Sequence, residues 1–126
     1  MVVFSNHKLG PSTELLVSRE VAGELLREVA AAAAPSAQAR WEHELVAWLE
    51  RWAASRSTSF DVSDIAWTPE HFERQRRFLT EAIQRAQAAS RHPRALARWR
   101  GLVEAHPREA VQVGRRWQWP SIESTI

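Results

Sequence analysis

The residue types in this chain best suited to recognition chemistry are arginine and tryptophan. Arg91, Arg94 and Arg98 share one face of a predicted helix, with no carboxylate four residues away on either side to neutralise them. Arg91 and Arg94 also fall near the N-terminus of that helix, where the peptide dipole disfavours cations. Local helix physics therefore does not account for them; an external anion would, or a carboxylate from elsewhere in the fold. Further on, Arg115-Arg116-Trp117-Gln118-Trp119 joins the two residue types richest in interface hot spots. Arginine with aromatics is also how single-stranded nucleic acid is gripped. On a strand, Trp117 and Trp119 share a face. These seven residues form the candidate partner-binding set. The competing reading makes the arginines a solvated face and Trp117 and Trp119 the closure of the core.

Other chemistries find little support. With no cysteine there is no disulfide, no thiolate metal site and no cysteine nucleophile. No pair among His7, His43, His71, His92 and His106 falls at i, i+4 on one helix, the spacing a helical metal site needs. No Gly-x-Ser-x-Gly elbow is present, and the four glycines cannot build a phosphate-cradling loop. The two aspartates, Asp61 and Asp64, read as loop residues. The expectation is a protein that is not an enzyme and that holds no metal or cofactor.

Charge is unevenly spread. Residues 1–60 carry six basic and seven acidic groups, whereas residues 74–116 carry eleven arginines against Glu81, Glu104 and Glu109. A basic half on a chain of net charge +2 suggests an anionic partner: a protein with an acidic surface, or nucleic acid. The longest apolar run, 29–34, is far short of the ~20 residues that span a bilayer, and no signal peptide is visible, so a cytoplasmic, non-membrane protein is expected. Sixteen arginines to one lysine, with many alanines, fit a GC-rich bacterial coding bias.

The elements that must position these residues read mainly as helices. Ser18 caps a predicted helix over 19–34, closed by Pro35, and Ser36 is the expected cap of a second over 37–54. Trp41, Leu45, Trp48 and Trp52 recur at i, i+4, i+7 and i+11 and so form one stripe of that second helix. The stripe is assigned to the core, as are Trp67 and Trp99, although a stripe this narrow also suits pairing of two copies as a homodimer. A third helix is expected from Pro69 to about residue 89, with Thr68 as its cap and a Trp67–Phe72 staple. Glu70–Arg74, Glu73–Arg77 and Glu81–Arg85 are spaced to pair along it. The fourth runs over 93–105. Alternation of Val111, Val113, Arg115, Trp117 and Trp119 predicts a strand over 110–119, with a short helix from Pro107 as the alternative. Residues 2–6 read as a short strand or an ordered tail, 14–17 as strand or helical turn, and 60–67 as a strand or an irregular packed segment.

Residues 67–79, about a tenth of the chain, resemble a segment found in short bacterial proteins, some of them toxin-immunity proteins. The resemblance assigns no family. The expected whole is one mostly helical domain over 1–126, with four helices and one or two short strands. It would be a protein-binding module of immunity or adaptor type, with nucleic-acid binding through 74–116 as the alternative.

Overall fold

The computed structural model describes residues 1–9 and 14–108. Among them lie four helices, α1 (Arg19–Ala33), α2 (Arg40–Ala54), α3 (Phe72–Ala89) and α4 (Pro93–Glu104). Three short strands, β1 (Val2–Ser5), β2 (Glu14–Val17) and β3 (Ser59–Asp61), form one sheet in the order β2-β1-β3. The fold is mainly helical with a minor sheet. The sheet has one strand more than the one or two expected, because each of the three segments left open in the sequence (2–6, 14–17 and 60–67) supplies a strand. Residues 110–119, the expected terminal strand, lie outside the described residues.

β1 is the central strand, antiparallel to β2 (Phe4 opposite Leu15) and parallel to β3 (Phe4 opposite Phe60). Val2 and Phe4 lie on one face of β1 and are buried, whereas Val3 on the other face is half-buried and Ser5 is a buried polar residue. β2 lies at the edge and alternates: Leu15 and Val17 pack inward while Leu16 is 57% exposed. α1 packs on α2 and α3, and α4 packs on α3 and touches β1 and β2. Trp99 of α4 is fully buried with its ring 5.2 Å from Phe4, which in turn lies 5.4 Å from Phe60. Side chains from helix and sheet thus meet in one aromatic core.

The start of α1 follows its local signal, with Ser18 Oγ accepting from the Val21 N–H at 3.2 Å. Two other starts do not. Pro35 sits in a 3-10 turn over Ala34–Ser36, and α2 begins only at Arg40. The side chain that caps it is Glu42, whose Oε1 accepts from the N–H groups of both Gln38 and Ala39 at 2.8 Å. A carboxylate reaching back three residues thus takes over the role expected of Ser36. α3 begins at Phe72, three residues later than expected. Thr68 closes a separate turn, in which His71 N–H donates to the Thr68 carbonyl and hydroxyl. Buried Gln75 then accepts from Thr68 N–H and donates to the Ala66 carbonyl, both at 3.0 Å, holding 66–68 out of the helix. The Trp67–Phe72 staple does form, with ring centroids 5.3 Å apart.

Candidate partner-binding site

α4 presents Arg94 and Arg98, and Arg91 lies two residues before its start. The capping segment at His92-Pro93 fixes where the helix starts, so Arg91, Arg94 and Arg98 fall outward while Leu96, Trp99, Leu102 and Val103 fall inward. Two of the three have partners from distant sequence. Arg98 donates to the Glu14 carbonyl of β2 at 2.8 Å, tying helix to sheet. Arg91 approaches Glu24 of α1 at 3.9 Å, and His92 Nε2 lies 2.8 Å from the same carboxylate. The His92 hydrogen bond, with the charges of Arg91, His92 and Arg27, outweighs burial and holds the Glu24 carboxyl below its usual value. Arg94 is exposed and its guanidinium has no partner among the described residues. Arg115, Arg116, Trp117 and Trp119 lie outside the described residues.

The tryptophans separate into two groups. Trp67 and Trp99 are core, and Trp67 Nε1 donates to the Val62 carbonyl at 2.8 Å. On α2, however, the fully buried line is Leu45, Val46 and Leu49; Trp41, Trp48 and Trp52 flank it and are only part-buried. Trp41 and Trp48 wall a cleft of about 240 Å³ whose far side is Ala66, Thr68 and Gln75. The same turn that delays α3 therefore builds the cleft. Trp41 stacks on His71 at 5.7 Å and meets Phe78 edge-on at 5.9 Å, so its plane is fixed. Trp48 packs edge-on against Trp52 at 6.1 Å, and the Arg51 guanidinium lies 5.6 Å from its ring centre. Its indole N–H is buried without a hydrogen-bond partner. This cleft was missed in the sequence because the stripe reads equally as core; its far wall comes from a turn that no helical period marks.

Beyond the C-terminal ends of the parallel pair β1 and β3 lies a buried polar network. Asp61, read in the sequence as a loop residue, is 3% exposed. Its carboxylate accepts from Ser5 Oγ, the His7 N–H, and both the N–H and hydroxyl of Ser63. His7 Nδ1 sits 2.9 Å from it. Burial pushes this carboxyl up, but the donors from Ser63, Ser5 and His7 outweigh that and hold it below its usual value. Asp64 is shifted the other way, by burial and by the Asp61 charge. The order of bonds is not that of a catalytic triad, in which a hydroxyl donates to the histidine and the histidine to the carboxylate. Here the hydroxyls donate to Asp61 directly, fastening the strand ends. Nearby, His106 is fully buried against Trp67 (5.2 Å) and accepts from Asn6 Nδ2 at 3.1 Å. Burial lowers its pKa from 6.5 to about 4.

Among the described residues, no group of three or more metal-ligating side chains is assembled, and no helix is long and apolar enough to cross a membrane. No protein-family model, curated protein or solved structure matches the chain.

Proposed function

We propose that this chain is a small protein-binding module of immunity or adaptor type. It acts in a bacterial cytoplasm by covering a partner's surface rather than by catalysis. The observation that carries this reading is the tryptophan-walled cleft on α2. Trp48 stays part-exposed with an orphaned indole N–H, a cost of about 1–3 kcal/mol that no internal hydrogen bond offsets. Trp41 is held rigid, and Arg51 stacks at the rim. Pre-ordered tryptophan beside arginine is the composition of an interface hot spot. The partner inserts an apolar side chain between Trp41 and Trp48 and sets a carboxylate against Arg51. Arg91 and Arg94 add long-range attraction to its acidic surface, which acts mostly on the association rate.

The test is capture of the partner by the tagged chain after a high-salt wash, using wild type, Trp48→Ala, Arg51→Glu and Arg94→Glu. A stoichiometric protein lost with the first two variants but kept with the third supports the reading. Equal retention by all four moves the site elsewhere. The second reading, nucleic-acid binding, is favoured by Arg74, Arg77 and Arg94, exposed guanidiniums without a partner among the described residues. It requires affinity to fall with salt at a log–log slope of about 0.7–0.9 per phosphate contact.

A further inference from the structure

A second groove, of about 640 Å³, opens between the first turns of α1 and the C-terminal end of α2. Its apolar lining comes from Ala22, Leu26, Trp52 and Phe60, and its charged lining from Arg19, Arg27 and Arg56, with Glu20 the only carboxylate on its walls. The three arginines are not equivalent. Arg19 is engaged: Nη1 donates to the Ser55 carbonyl at 3.1 Å, and Nη2 to those of Arg56 and Ser57 at 2.8 and 3.3 Å. It thereby covers the carbonyls that follow α2, which would otherwise repel an anion at this place. Arg27 and Arg56 are exposed, and neither guanidinium has a hydrogen-bond or ion-pair partner among the described residues. Glu24, one turn before Arg27, is hydrogen-bonded by His92, and the Arg27 charge adds only a further electrostatic pull on it. Gly23 also lines the groove, and a Cβ there would stand 3.0 Å from Arg27 Nη1. That atom is the far end of a flexible side chain, so a side chain at 23 would shift the guanidinium by a few tenths of an ångström.

We infer that this groove binds a nucleoside phosphate, with the base against Trp52 and the phosphate between Arg27 and Arg56. Planar guanidiniums match phosphate oxygens two at a time, and the half-buried Trp52 ring, held by Phe60 at 5.0 Å and Trp48 at 6.1 Å, offers its remaining surface for stacking. The volume falls in the range of small-molecule sites. A bare anion would leave the aromatic lining unused. A polyanion would favour the arginine-rich 74–116 half, whereas the groove is a local cationic spot on a half with seven acidic and six basic groups.

Isothermal titration of the full chain with AMP, ADP and GMP tests this, with adenosine and inorganic phosphate as half-ligand probes. Saturable nucleotide binding is expected, with adenosine and phosphate each at least about tenfold weaker. Arg27→Gln/Arg56→Gln should weaken nucleotide binding at least about tenfold while leaving Tm nearly unchanged, since both side chains are exposed. Lack of saturable binding of any nucleotide at millimolar concentration would overturn the inference, as would undiminished binding by the double variant. Phosphate binding as tightly as AMP would overturn the aromatic half of it, and tighter binding of an oligonucleotide than of AMP would overturn the choice of ligand.

Discussion

Trp48 and Trp99 share a defect and differ in setting. Both hold a buried indole N–H without a hydrogen-bond partner. Trp99 is 0% exposed, packed on Phe4 at the meeting of helix and sheet. Burying some 150–250 Å² of ring at ~25 cal/mol per Å² gives about 4–6 kcal/mol, which exceeds the ~1–3 kcal/mol cost of the orphaned donor. For Trp48 the same cost is set against a ring that remains part-exposed beside a cleft. One residue type therefore serves two ends: an indole the fold depends on, and an indole the fold merely carries. The neighbourhoods differ in the same way. Around β1 the polar groups of Asp61, Asn6 and His106 are tied into hydrogen bonds, while the α2 cleft is left open.

The contrast breaks most sharply by truncation. Trp99→Ala should cost about 3–5 kcal/mol, enough by urea denaturation to leave the domain marginal or unfolded; a loss near 1 kcal/mol would mean that Trp99 is not core. Acid comes next. His106 titrates at about 4 when folded and at 6.5 ordinarily, so below pH 6.5 the unfolded chain binds the extra proton first. Its contribution is full above 6.5, declines as pH falls from 6.5 to 4, and totals about 3 kcal/mol by linkage. Asp61 works in a lower window: its folded value is depressed, so its stabilisation is present above about pH 4 and is lost below that. Stability followed against pH should show the first decline vanish in His106→Gln and the second persist.

Glu42→Ala should fray the start of α2 and cost about 1 kcal/mol, read as a fall in urea midpoint. Trp48→Ala should cost the least, about 1 kcal/mol or below, because a part-exposed ring and an orphaned N–H leave together. A loss equal to that of Trp99→Ala would make Trp48 core and remove the proposed cleft.

Much of the fold is legible in sequence where the signal is local. Ser18 and Pro35 bracket α1 to within one residue, and Pro93 fixes α4, because caps and imino acids act on the adjacent turn. The signals failed where a nearby side chain competed. Glu42 outdid Ser36 as a cap, and Gln75 held Thr68 in a turn of its own. Likewise, the pairing expected of Glu73 with Arg77 gives way to Arg76 at 2.8 Å, since Arg76 also reaches the carbonyls of Glu104 and His106.

What the sequence determines by itself is the helical content, most of the element boundaries and the supply of arginine and tryptophan, all set by period, propensity and composition. Tertiary structure decides which tryptophans are core, because the helical period states which residues share a face but not how that face is rotated toward its neighbours. On α2 the buried axis runs along Leu45, Val46 and Leu49, leaving the tryptophans beside it. It also decides the polar contacts. Ser5 meets Asp61 across 56 positions and Asn6 meets His106 across 100, and no local pattern encodes a hydrogen bond between groups that only a closed chain brings together.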